Sequence, residues 1–376
     1  MPKPAYSFVD NIRCIAILAI VVEHISLDPH TFRPSDKPYW IFLTITQLFK
    51  FGTIAFFLIA GFLFAENKDG YGVIEYLKRR FNNIFRPWLI WSLTFVILVT
   101  AAPTLNAIII NAPLKAVVSN IWWGGKWVYL HSNYWFIMNF FFCTTVLLLN
   151  KKSLNSWSFG FILFSLTMFY SVNMYYEWIV PEHTTAIFGF IFFYWLGIQL
   201  NRFYAPIKNF IEKTSIVFFV LATILTLFIS VQESSFLYSM KKIEHTNTLR
   251  FSNIVFSITI FFMFLKIGNF NWLAFLQPRK TTYGIYLIHY IFAICLLPLI
   301  FGNVDKSVTQ QYSILEMLQY EISRFLIVYV LSFTVVQLIS RSKFAWAIGS
   351  NPLKKPANQH VKDALEVDLG LKTEAA

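Results

Sequence analysis

Charge is scarce in this sequence. Asp, Glu, Lys and Arg make up 13% of the 376 residues, where a soluble domain averages about 25%. That excludes a disordered chain, a secreted domain and a soluble enzyme. Cysteine is nearly absent. Cys14, Cys143 and Cys295 are the only three, and each falls inside an apolar run. A disulfide framework and a cysteine metal site are excluded, no metal is expected, and the thiols read as buried. Gly and Pro number 14 each, and no low-complexity linker or internal repeat is visible. Acidic residues are few, 19 against 31 Lys and Arg, which leaves a net charge of +12. In a soluble protein that excess would raise nucleic acid as a partner. Here the simpler cause is the enrichment of cations on cytoplasmic loops, and no nucleic acid is expected.

Apolar residues are what the chain has in quantity. They make up 57%, with 19% aromatic and 42 Phe. One bilayer crossing takes ~20 mainly apolar residues, so ten crossings would absorb most of them. The runs are long and do not alternate, unlike the strands of a membrane barrel. The expected fold is therefore all-α: a polytopic membrane protein of about ten transmembrane helices. These are placed near 11–27, 41–65, 87–103, 134–150, 157–173, 184–200, 214–231, 250–268, 281–301 and 320–340. The third is the least defined, because 104–133 stays apolar and could hold a re-entrant or interfacial piece. No cleavage site follows the first run, which reads as a retained helix. Residues 1–345 form the expected membrane domain and 346–376 a polar cytoplasmic tail. With both termini inside, 21 of the 31 Lys and Arg fall on cytoplasmic segments and 8 on outer ones. This bias sets the orientation. Lys50 and Arg324 lie within helices, paired or snorkelling.

An ionisable side chain in a spanning helix costs ~3 kcal/mol and is a functional hypothesis by default. The first helix holds Arg13, Glu23 and His24, with Asp10 one turn before Arg13. Arg13 and His24 are eleven residues apart, which is three turns plus about 20°, or about 16 Å of rise. Asp10, Arg13, Ile17, Ile20 and His24 thus form one stripe. The bland reading is an anchor at Arg13 and an interfacial histidine. Lys78, Arg79, Arg80 and Arg86 cluster before Pro87. They would serve as a topology anchor or as a site for a polyphosphate ligand, since guanidinium forks suit phosphate oxygens. His289, deep in TTYGIYLIHYIF, would pack, hydrogen-bond or act.

These segments, in this order, resemble the acyltransferase 3 family of bacterial integral-membrane acyltransferases. FVDNIRCIAILAIVVEHIS is similar to its first helix, with Arg-x10-His between Arg13 and His24. FFLIAGFLF at 56–64 resembles its second-helix motif, and YLKRRFNNIFRPWLIWSL at 76–93 its basic loop and Pro-led third helix. YWFIMNF at 134–140 and YGIYLIHYIF at 283–292 resemble its fourth and ninth helices. The match spans about residues 6–340 and is nearest to the branch acting on surface polysaccharides and their lipid-linked precursors. The sequence departs from the pattern twice. Ala60 stands where a Ser is usual, and Asn83 where a second Arg is frequent.

The resemblance implies transfer of an acyl group, most often acetyl from acetyl-CoA, to a hydroxyl of a cell-surface or lipid-linked carbohydrate, in the bacterial cytoplasmic membrane. A sugar hydroxyl is a poor nucleophile and needs a base, and histidine titrates in the right range. His24 would be that base, or alternatively a transient acyl carrier. Arg79, Arg80, Arg86 and Lys78 would meet the coenzyme A phosphates. Arg13 would neutralise phosphate or orient the thioester, and Asp10 would hold Arg13. Glu23, Trp135, Tyr286 and His289 are substrate-site candidates. Acyl-CoA, the glycan acceptor and membrane lipids are the expected partners. The rival readings are a transporter of lipid-linked glycan or acyl donor without chemistry, and a scaffold subunit. A scaffold needs neither the polar stripe nor the basic cluster.

Overall fold

A computed structural model describes residues 6–29, 32–66, 72–268, 271–302 and 312–350. The polar segment 351–376 lies outside the described residues. The chain is all-helical, with no strand among the described residues. Among the described residues, fifteen α-helices follow in order. The first eight are α1 Ser7–Ile25, α2 Lys37–Phe49, α3 Gly52–Ala65, α4 Val73–Arg80, α5 Arg86–Ile109, α6 Leu114–His131, α7 Trp135–Leu149 and α8 Trp157–Tyr176. The others are α9 Ile191–Arg202, α10 Tyr204–Lys213, α11 Ile216–Ser239, α12 Phe251–Ile267, α13 Pro278–Cys295, α14 Leu297–Phe301 and α15 Ile314–Ser340.

Among the described residues six stretches are long and apolar enough to cross a membrane: Lys37–Ala65, Val73–Ile109, Trp157–Tyr176, Ile216–Ser239, Pro278–Phe301 and Ile314–Ser340. A seventh arises if α6 and α7, bent by 57° at their junction, count as one broken span. All ten expected segments contain helix, but not all are full-length apolar spans. The expected segment 184–200 becomes helical only at Ile191, and α9 has 12 residues. That is about 18 Å of helix, against ~30 Å of hydrocarbon. Its apolar character serves packing inside the protein, where Phe193, Tyr194, Trp195 and Ile198 are buried. The helix expected to open at Pro87 instead begins at Val73 and passes through a π-helical turn, Phe81–Phe85. A proline ring collides with the carbonyl four residues back. For Pro87 that carbonyl belongs to Asn83, inside the wider π turn, and the helix continues.

The first helix sits between two packed groups. Phe8, Ile12, Ala16 and Ala19 of α1 join a core with α3, α9 and α12. Cys14, Ile17, Val21 and Ile25 join a second core with α5, α13 and α15. Both sets recur at three- and four-residue steps, the signature of a helix buried on more than one face. Arg13, Ile20 and His24 fall on the strip between the two faces. Against the first face, α3 and α9 approach closely. A Cβ on Gly61 would overlap the carbonyl oxygen of Tyr194, and one on Gly197 that of Leu58. Only glycine fits at these two positions.

The α6–α7 junction lies among protein groups that satisfy its irregular backbone. Asn133 donates to the Tyr286 carbonyl (2.9 Å) and Tyr134 to the Leu287 carbonyl (2.6 Å). Tyr286 donates its hydroxyl to the Asn133 carbonyl, and Trp88 donates to that of Tyr134 (3.0 Å). Each buried polar group left unpaired would cost ~1–3 kcal/mol. Non-helical backbone at membrane depth is tolerated where it is buried or lines a cavity, and this junction does both.

Candidate active site

Two cavities adjoin the strip of α1, one towards each end. The first, about 360 Å³, is bordered by Arg13, Arg80 and Arg279. Its apolar wall comes from Phe56, Ile59, Ala60 and Leu63, one face of α3. Asp10 binds two of the guanidinium groups together. Its carboxylate lies 2.6 Å from Nε of Arg279 and 3.6 Å from Nη1 of Arg13. The first is a charge-assisted hydrogen bond; the second is a looser ion pair. Arg80 is held by Tyr76, whose hydroxyl accepts from Nε (3.1 Å) and Nη2 (2.9 Å). The three cations are thus held by neighbouring side chains, and among the described residues no carboxylate lines the cavity.

The second cavity is about 170 Å³ and polar. Glu23, His24, His131, His183, Thr53, Asn133, Trp135 and Thr248 border it, with Tyr290 alongside. Glu23 is neutralised by Lys50 at 2.7 Å. His183 stacks on Trp135, with ring centroids 4.9 Å apart, and its Nε2 lies 3.3 Å from the Thr248 hydroxyl. His131 faces the Glu182 carboxylate at 3.7 Å. Among the described residues no three His, Cys, Asp or Glu side chains gather as a metal site.

Phe136 and Tyr286 border both cavities. Their rings stand 5.6 Å apart and form the wall between a basic chamber and a histidine chamber. Helices α1 and α13 run in the same direction along this pair of chambers. They touch through polar side chains at both ends: Asp10 to Arg279 and His24 to His289, where Nδ1 and Nε2 lie 2.9 Å apart. His289 itself is fully buried and borders neither chamber.

The family model of the acyltransferase domain matches residues 6–341. This chain belongs to the acyltransferase 3 family. No curated protein and no solved structure matches it.

Within this member of the acyltransferase 3 family, the stripe predicted from the first helix is divided between the chambers. Arg13 borders the basic chamber and Ile20 and His24 the other, which Glu23 also borders from outside the stripe. Of the basic cluster, only Arg80 reaches a chamber. Lys78 and Arg79 are exposed on α4, and Arg86 lies over the Trp346 ring at 4.2 Å. Of the substrate-site candidates, Glu23, Trp135 and Tyr286 border chambers, and His289 touches His24. Both positions at which the chain departs from the family pattern, Ala60 and Asn83, border the basic chamber. The chamber therefore carries a methyl and an amide where a hydroxyl and a further cation are usual.

Three residues escaped sequence reasoning. Arg279 reads in sequence as a loop cation just ahead of a helix, yet it borders the basic chamber. His131 and His183 fall outside the expected spans, so the cost of intramembrane charge did not flag them. They meet His24 only through the bend between α6 and α7 and the turns before α9.

Proposed function

We propose that the protein is a membrane O-acyltransferase that moves a short acyl group, acetyl in the first instance, from acyl-CoA to a carbohydrate hydroxyl. The observation that carries this reading is the shared wall. A basic chamber suited to phosphate and a chamber holding the candidate base share Phe136 and Tyr286 in their linings. A transporter without chemistry has no need of a histidine on the far side of that wall.

The donor's phosphates meet Arg80, Arg279 and Arg13 at the mouth of the basic chamber, and its thioester arm points at the wall. The chamber, about 360 Å³, falls in the range of ligand pockets. The second chamber, about 170 Å³, leaves room for a short acyl group and one edge of a sugar. His24 removes the proton of the acceptor hydroxyl as it attacks the thioester carbonyl. Glu23 and Asn133 offer hydrogen-bonding groups to the remaining hydroxyls, and Trp135 a flat apolar wall. The basic bias of the sequence supports a cytoplasmic basic chamber, in a bacterial inner membrane on this reading. The acceptor, a surface glycan or its lipid-linked precursor, then enters from outside.

The purified protein in proteoliposomes, given acetyl-CoA on one side and glycan on the other, tests the reading. Acetyl ester should appear on the glycan with the wild type and be lost with His24→Ala. Equal ester formation by His24→Ala would overturn the role of His24. Ester formation by neither protein, under conditions where acetyl-CoA binds, would overturn the enzyme reading.

A further inference from the structure

His24 has two ring nitrogens, and among the described residues only one of them has a hydrogen-bond partner. Its Nδ1 lies 2.9 Å from Nε2 of His289. In turn, Nδ1 of His289 lies 3.0 Å from the carbonyl oxygen of Ile285, one turn earlier on α13. A carbonyl can only accept, so His289 carries its hydrogen on Nδ1. In a neutral imidazole the other nitrogen is then an acceptor. His289 Nε2 therefore accepts, and His24 Nδ1 donates. The free lone pair of His24 is left on Nε2, on a ring that borders the histidine chamber.

We propose that His289 is a positioning residue for the transfer, holding His24 in the Nδ1–H tautomer so that Nε2 presents its lone pair to the acceptor hydroxyl. This rests on the reading of His24 as the base. The opposite tautomer would offer the hydroxyl an N–H, which cannot take a proton. The backbone of α13 sets the direction of the chain: the Ile285 carbonyl has no second tautomer.

The step balances without another reactant. The hydroxyl proton passes to His24 Nε2 while the oxygen forms a bond to the thioester carbonyl carbon. The carbon–sulfur bond then breaks, and its electron pair leaves on sulfur. The proton on Nε2 passes to that sulfur, giving the free thiol, and His24 returns to its neutral form. His289 gains and loses no proton. While His24 is an imidazolium, its Nδ1–H bond to His289 becomes charge-assisted and therefore stronger. That differential stabilisation favours the transition state over the ground state.

Two substitutions separate the acceptor atom from packing. His289→Phe keeps a ring in the buried site and removes the acceptor. His289→Gln places an amide oxygen near the position of Nε2 and an amide hydrogen within reach of a backbone carbonyl. With His289→Phe, kcat should fall roughly 10²- to 10⁴-fold, the range of general-base contributions, with KM for acyl-CoA and the melting temperature unchanged. His289→Gln should recover kcat to within about tenfold of wild type. Wild-type kcat in His289→Phe would overturn the proposal. So would equal loss in both variants at unchanged melting temperature, because the acceptor atom would then not matter. His24→Ala is run in parallel. If it retains transfer, the base reading falls and takes this inference with it. If His24→Ala is inactive and His289→Phe is fully active, only the role of His289 is overturned.

Discussion

Phe136 and Tyr286 meet at 5.6 Å between ring centroids, with one chamber on each side of the pair. Tyr286 is tied by its hydroxyl to the Asn133 carbonyl and by its own carbonyl to the Asn133 amide. The Phe136 ring makes no hydrogen bond and is the softer half of the wall. Phe136→Trp adds volume where the thioester arm must pass. It should lower transfer about tenfold or more and leave coenzyme A affinity within about twofold, because orientation of the reacting atoms is lost while the phosphates bind elsewhere. Calorimetry of coenzyme A binding beside the transfer assay checks this. Parallel losses in both would show that the wall belongs to the donor site.

The basic chamber predicts which cations matter. Arg80→Ala or Arg279→Ala should weaken coenzyme A binding by ~1.5–3 kcal/mol, the scale of hydrogen bonds to charged groups. Lys78→Ala, on the exposed side of α4, should change it by less than about threefold, as exposed pairs are worth little. Wild-type affinity should fall with added salt. An affinity that ignores Arg80 and Arg279 but follows Lys78 would move the phosphate site to the surface of α4.

Arg13 separates charge from shape. Arg13→Lys keeps the positive charge near Asp10 but loses the planar fork. Transfer should drop by roughly thirtyfold to a hundredfold at normal membrane abundance, about 2–3 kcal/mol of charge-assisted hydrogen bonding. Immunoblots of the membrane fraction must accompany the assay, since poor insertion would imitate the effect. Full activity would reduce Arg13 to an anchor.

The Glu23–Lys50 pair gives a stability prediction. Lys50 is almost fully buried and its ammonium lies 2.7 Å from the Glu23 carboxylate. Lys50→Met leaves a part-buried carboxylate uncompensated and should destabilise by roughly 1–3 kcal/mol. Combining it with Glu23→Gln should restore most of that loss, because the uncompensated charge is gone. Thermal unfolding in detergent reads both. A double variant no more stable than Lys50→Met would mean that packing, not charge, sets the cost.

Orientation is read by thiol labelling. Glu182→Cys should react with a membrane-impermeant maleimide in intact cells, and Lys152→Cys only after permeabilisation. The native Cys14 and Cys143 are buried, and Cys295 is controlled for by the parent chain. Reversed labelling would put the histidine chamber inside the cell.

The helical class was legible because composition alone forces it, and the α1 stripe because 100° per residue places Arg13 and His24 together. The length of α9 was not legible. A buried interior helix and a membrane span have the same apolar composition, and Phe193 and Trp195 look alike in either setting. Nor could spacing show that Arg86 rests on Trp346 while Arg80 turns to the chamber, since the π turn between them leaves no periodic trace. His183 and Arg279 come to the site by tertiary folding, and one sequence carries no signal of that meeting.

The glycine contact of α3 with α9 bears on how the wall can open. Two helices separated by side chains can roll or slide as those side chains change rotamer. At Gly61 and Gly197 backbone meets backbone, and there is nothing between to yield. The α3–α9 unit is thus a stator for the enzyme. Any stroke that joins the two chambers falls to α7, which follows the bend at the α6–α7 junction and carries Phe136, and to α13, which carries both Tyr286 and His289. The helix that would swing the wall aside is also the helix that brings His289 against His24.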